Sequence, residues 1–181
     1  SPGSELYRRL FPKPLGNVKG VVPKAKPSLP KGVSKSKGQA VQKLAASKTL
    51  TAVVSRPTGG KATFAQAKGI TEAQVEEVLV LEDVTVPSGT NTYLAVFINL
   101  PNANTSTTLD CAEYVGSYAN LPHMGMGMDT GHVADIRLSI TTNIANLGIE
   151  DQDTLVVSVV SKLVNGKESQ VTIGGFKIQY V

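Results

Sequence analysis

From residue 49 onward, apolar and polar side chains tend to alternate every second position, which is the signature of strands with one buried face. The clearest run is 133–141, where Ile136, Leu138 and Ile140 point to one side and Asp135, Arg137 and Ser139 to the other. Six further β-rich runs are separated by turn residues. They cover 49–56 (stopped by Pro57-Thr58-Gly59-Gly60), 77–84, 92–100, 111–121, 154–163 and 170–181. Asn165-Gly166 between the last two predicts a tight hairpin. Gly174-Gly175 inside the last run predicts a bulge or sharp bend. One segment breaks the rhythm: 142–148 reads as a short helix, with Thr142 as its cap and Gly148 as its stop. Seven strands and one short helix predict an all-β fold, an antiparallel sandwich or jelly-roll-like barrel. Residues 47–181 are long enough to bury a core of their own.

The first 46 residues follow no such rhythm. Prolines and lysines recur in Pro23-Lys24-Ala25-Lys26-Pro27, Pro30-Lys31 and Lys35-Ser36-Lys37. Proline removes backbone donors and like charges repel, so this stretch reads as an extended basic linker over 1–46. As a random coil of that length it would reach roughly 35–40 Å. Exposed Lys- and Ser-rich chain is a good protease substrate. Leu6-Tyr7-Arg8-Arg9-Leu10-Phe11 is its one apolar cluster, read as a frayed end or a docking segment, and 39–48 reads as a short helix leading into the domain.

Charge divides the chain in the same way. Residues 1–70 hold 14 Lys and Arg against one acid, a net of +13, whereas residues 71–181 hold 4 against 13, a net of −9. The overall +4 therefore describes neither part. A basic chain often binds nucleic acid, but beyond Tyr7 and Phe11 the basic stretch has no aromatics interleaved with its charges and no helical reading face, which argues against that partner. No run of 18 apolar residues is present, so no membrane-spanning helix is expected. The chain opens Ser1-Pro2-Gly3-Ser4 without Met or a secretory pattern, and reads as a piece of something longer.

Residues with chemistry to offer are few. There are two histidines, His123 and His132, and a dinuclear copper site of the oxygen-activating type needs about six imidazoles. Phosphate-binding loop and nucleophile-elbow spacings are missing. The single cysteine, Cys111, reads as a small buried apolar residue, and Glu150, Asp151 and Asp153 as a solvated acidic loop. One segment stands apart. All three methionines, Met124, Met126 and Met128, lie within 121–132, between glycines and flanked by His123 and His132. Thioether and imidazole suit Cu(I), which makes His123, Met124, Met126, Met128 and His132 a candidate metal loop. Apolar methionines on a glycine-rich loop also suit an adaptable plug for a neighbouring surface, and an ordinary loop is the third reading.

Several runs resemble one family. Glu76-Glu77-Val78-Leu79-Val80-Leu81-Glu82, Val96-Phe97-Ile98-Asn99, Cys111-Ala112-Glu113-Tyr114-Val115-Gly116-Ser117-Tyr118, Asn120-Leu121-Pro122-His123 and Val171-Thr172-Ile173-Gly174-Gly175-Phe176 are similar, in order and spacing, to the C-terminal domain of plant polyphenol oxidases (tyrosinases and catechol oxidases). The family's Lys-Phe-Asp-Val strand is here Tyr93-Leu94-Ala95-Val96, so its two charges are missing while its apolar face remains. The resemblance implies a pro-domain without catalysis or cofactor of its own. It would cover the dicopper entrance of the catalytic domain and keep the parent oxidoreductase latent until a protease cuts the linker. It further implies that an apolar residue plugs the substrate position, for which Leu121, Met124 and Met126 are the candidates. The alternative is a domain that handles Cu(I) on the Met/His loop for metal loading. The location implied is the chloroplast thylakoid lumen, or for some relatives the vacuole.

Overall fold

The computed structural model of the chain describes Leu15 and residues 42–45, 48–86, 92–120, 132–163 and 170–181. Nine strands lie among them: β1 (Gln42–Ala45), β2 (Thr49–Ser55), β3 (Glu77–Val86), β4 (Thr92–Ile98), β5 (Tyr114–Asn120), β6 (His132–Ser139), β7 (Thr154–Leu163), β8 (Gln170–Ile173) and β9 (Gly175–Tyr180). Two helices join them, α1 (Gly60–Lys68) and α2 (Thr141–Leu147), with a single 3-10 turn at Glu72–Gln74.

The strands form two antiparallel sheets. The first has the order β1-β8-β3-β6, with β9 also on β3; the second runs β2-β7-β4-β5. Their inner faces share one core. Leu79, Leu81, Ile136 and Phe176 come from the first sheet, and Val54, Leu94, Val96, Val157 and Val159 from the second. The result is an open two-sheet sandwich rather than a closed barrel.

A bulge interrupts β3, one of the two longest strands. Leu79 and Leu81 face the core at odd positions, and Val84 and Val86 face it at even ones. The switch falls where the β3–β6 register slips between Leu81 and Val84. Asp83 there adopts φ 49, a left-handed conformation that aspartate tolerates better than most side chains. Its N–H donates to Asp135 Oδ1 at 3.0 Å. The facing chain makes the same switch, with Val171 and Ile173 inward before Gly174 and Phe176 and Ile178 inward after it. Gly174 donates its N–H to Glu82 O at 2.8 Å, and a Cβ on Gly174 would lie 2.9 Å from Asp83 Cβ.

Several expectations need correction. The expected seventh strand is two, β8 and β9, parted at Gly174. Within the helix expected over 39–48, Gln42–Ala45 form strand β1 instead, paired with β8 through Gln42↔Ile173 and Ala45↔Gln170. Edge pairing overrides the local helix preference of Gln42-Lys43-Leu44-Ala45. The expected β7–β8 hairpin does not form, because β7 pairs with β2 and β4 while β8 pairs with β1 and β3. Asn165-Gly166 itself lies outside the described residues. The strand expected from 111 starts at Tyr114. The expected Thr142 cap is replaced by Ile140 at the cap position, while Gly148 does close α2, with φ 65. Helix α1 is additional to the single helix expected; its Ala- and Lys-rich run starts behind Gly59 and ends on Gly69 at φ 69. The inward and outward sets along β6 and just past it agree with the alternation in the sequence: Ile136 and Ile140 are buried, Leu138 is half-buried against the core, and Asp135, Arg137 and Ser139 are exposed.

Candidate functional site

The strand registers give the sandwich two unlike ends. At one end β2, β4, β6 and β9 finish and β3, β5 and β7 start. Arg56, just past β2, enters this end with a side chain that is 9% exposed, and meets Glu77 at the start of β3, which is fully buried. The two pair as a fork: Nε donates to Oε2 at 2.7 Å and Nη2 to Oε1 at 2.8 Å. Nη1 donates to the main-chain oxygens of Glu150 at 2.7 Å and Gln152 at 2.8 Å, beyond α2. One guanidinium thus ties three segments together. The bonds to Glu77 raise its pKa further above an already basic value.

Around this pair the polar groups are satisfied in sequence. Glu77 N–H donates to Thr141 Oγ1 at 2.8 Å, and Ile140 N–H donates to Glu77 O at 2.9 Å. The hydroxyls of Thr141 and Ser139 both donate to Glu76 Oε2, at 2.8 and 2.9 Å. Those bonds hold the exposed Glu76 carboxyl below the usual carboxylate range. A hollow of about 720 Å³ opens beside the knot, lined by Lys61, Glu72, Asp153 and Tyr180 among others. Arg56 borders it, but its donors are already committed to Glu77 and to carbonyls.

Potential nucleophiles are held protonated. Burial pushes the Cys111 thiol up, with the nearby Glu113 adding to it. Burial likewise raises the phenols of Tyr114 and Tyr180. Cys111 is 1% exposed and packs with Ala95, Phe97, Ala103 and Val160 on the outer face of the second sheet, as its apolar reading anticipated. Glu150, Asp151 and Asp153 are exposed. Among the described residues no three His, Cys, Asp or Glu side chains gather as a metal site. The chain's two histidines also do not fit a dicopper centre.

The other end of the sandwich carries the connections 87–91, 121–131 and 164–169. Val86 faces His132 across the first sheet, and Thr92 faces Asn120 and Leu163 across the second. Segment 121–131 therefore passes from β5, an edge of the second sheet, to β6, an edge of the first. Leu121, His123, Met124, Met126 and Met128 lie outside the described residues, and His132 is described only as the first position of β6. Thr92, at the foot of this end, is 2% exposed, and its hydroxyl has no hydrogen-bond partner among the described residues.

Residues 42–180 match the family described as the chloroplastic polyphenol oxidase C-terminal domain. The chain belongs to that family. It is 35% identical over 106 residues to polyphenol oxidase C, chloroplastic, of Solanum lycopersicum, an alignment covering 58% of this chain and 16% of that protein. Among solved structures, latent apple tyrosinase is similar over 94% of this chain and 32% of its own, with 26% identity and a TM-score of 0.61. Latent aurone synthase, at 18% identity and a TM-score of 0.63 over 97% of this chain and 31% of its own, shares the fold. The chain thus spans a third or less of each of these three proteins.

The departure from the Lys-Phe-Asp-Val strand has a structural counterpart. Where the family has Asp, Ala95 is fully buried in the outer apolar cluster. Where it has Lys, Tyr93 shares a hydrogen bond with Ser117 Oγ at 2.9 Å and lies under Lys162, whose Nζ is 5.5 Å from the ring centroid. Ser117 also bonds the Tyr114 hydroxyl. The Arg56–Glu77 fork was not singled out from sequence; the signal available was an arginine directly before a proline stop, followed by a carboxylate at the head of a strongly apolar strand.

Proposed function

We propose that this chain is the regulatory cap of a plant polyphenol oxidase: it covers the dicopper entrance held by the catalytic domain and keeps the enzyme latent until a protease cuts the basic linker. The observation that carries this reading is the likeness, over 94% of the chain, to part of a tyrosinase whose structure is described as latent. In this reading residues 1–46 are the tether, its last positions entering the first sheet as β1, and 47–181 form the cap. The chain does no chemistry alone; copper and its imidazoles belong to the catalytic domain. The plug is carried on 121–131 by Leu121, Met124 or Met126. Chloroplastic names among the relatives support a plastid setting, with the thylakoid lumen as the compartment.

Tethering makes weak binding sufficient. A linked partner sits at an effective concentration of the order of mM, so an interface of only about 10 μM affinity stays closed about 99% of the time. After cleavage, at micromolar protein, the same interface largely opens. The test is to add this chain to the protease-activated catalytic domain and follow diphenol oxidation. Dose-dependent inhibition, half-complete at about 10 μM chain, is expected; unchanged activity at about 100 μM chain, or oxidation by the chain itself, overturns the reading.

A further inference from the structure

We infer that the basic N-terminal extension is clipped to the sandwich at Leu15 and Glu113, so that residues 16–41 form a loop closed at both ends. Leu15 donates its main-chain N–H to both carboxylate oxygens of Glu113, at 2.8 and 2.7 Å, across 98 positions of sequence. The other end of the loop is β1, paired with β8. Glu113 is fully buried. A carboxylate stripped of water depends on protein donors, and a charge-assisted N–H bond is among the stronger ones. The fold fixes this acceptor in advance. Ile98 N–H donates to Glu113 O at 2.8 Å, and Asn143 Nδ2 donates to the flanking oxygens of Ala112 and Tyr114 at 3.0 and 2.8 Å. Leu15 itself is 50% exposed, so its backbone is what is held, not its side chain. Charge favours the same encounter, since residues 1–70 carry a net +13 and residues 71–181 a net −9.

The position of a cut relative to Leu15 then decides whether the clip bears on it. Lys19, Lys24, Lys31, Lys35 and Lys37 lie between Leu15 and β1 in the sequence, and Arg8 and Arg9 lie before Leu15. The clip slows cleavage between its two attachments and leaves cleavage before Leu15 unchanged. The meaning of this for latency rests on the shielding reading above, but the clip does not.

The experiment uses the full chain. Limited trypsin cleavage is followed by mass spectrometry, with cutting after Lys19 read against cutting after Arg8 and Arg9. Leu15→Pro, which removes this N–H and leaves Glu113 untouched, should be cut after Lys19 about tenfold faster than wild type, whereas Leu15→Ala, which keeps the N–H, should behave as wild type. Equal rates for Leu15→Pro and wild type overturn the clip. A measurement that needs no variant stands beside it. By NMR the Leu15 amide of the intact chain should exchange about tenfold more slowly or more than in the free peptide 10–19. Exchange at the free-peptide rate overturns the proposal. Neither readout uses the catalytic domain, so failure here leaves shielding standing, and failure to inhibit leaves the clip standing.

Discussion

Arg56 and Glu77 show how one buried pair fixes one end of the fold. Glu77 is fully buried, and Arg56 brings it the two donors of the fork. Arg56, in contrast, keeps carbonyl partners beyond Glu77. The two single replacements should therefore differ. Arg56→Met strands a buried carboxylate and is expected to cost about 3–5 kcal/mol in urea unfolding. Glu77→Gln leaves the guanidinium its carbonyls and should cost about 1–3 kcal/mol. Arg56→Met with Glu77→Leu should recover much of the larger loss; a double variant as unstable as Arg56→Met alone would show that the pair is not the cause. Glu76 gives a pH signature. Its folded pKa is depressed by the Thr141 and Ser139 hydroxyls, so its contribution is present above the unfolded value and fades as pH falls through the folded one. Thermal melts should show wild type losing stability below about pH 4.5 more steeply than Glu76→Gln, and parallel curves would remove that assignment. Neither role could be read from the sequence, because a carboxylate's partner depends on which strand ends converge. Cys111 was legible, because a lone cysteine without a nearby base has little to do but pack.

The paired parity switches on β3 and on β8 with β9 are the clearest link from sequence to architecture. In both chains the inward residues jump by three, from Leu81 to Val84 and from Ile173 to Phe176. The sequence signalled half of this: Gly174-Gly175 marked an irregularity, but the bulged residues are Glu82 and Asp83 on the facing strand. A bulge is a property of a pair, and one strand's spelling gives only its own side. Gly174 is where the pair is tightest, since a Cβ there meets Asp83 Cβ at 2.9 Å and Glu82 O at 3.2 Å. Gly174→Ala must push the two strands apart, with an expected loss of about 1–3 kcal/mol. Gly60→Ala is the contrast: a Cβ there touches nothing within 4 Å, so its cost is confined to its own φ of 74. Equal stability of Gly174→Ala and wild type in urea would mean the bulge relaxes freely. Strand existence was legible from alternation. The helix expected at 39–48 and the hairpin expected at Asn165-Gly166 were not, for one reason: sheet membership is decided by distant partners, and local propensity has no access to them.

The sandwich is lopsided by construction. One end is locked by the Arg56 fork, the Glu76 hydroxyl bonds and α2; the other sends out the connections between its strands, among them the segment holding every methionine of the chain. The shielding role proposed above would use this division, because the locked end supplies stability that is independent of what the other end touches. That independence is measurable. If Met124 and Met126 reach the substrate position of the catalytic domain, then Met124→Gly and Met126→Gly in the latent full-length enzyme should raise activity before proteolysis and leave activity after proteolysis unchanged. On the shielding reading these side chains face the catalytic domain rather than the sandwich core, so the isolated chain carrying either change should melt as wild type does. The same variants separate plug from metal loop. A plug variant keeps full copper occupancy in the parent and loses only latency, while a variant of a Cu(I)-loading loop lowers the copper content of the parent and with it the activity after cleavage. Latency unchanged in both variants would move the plug to Leu121 or to another connection at that end.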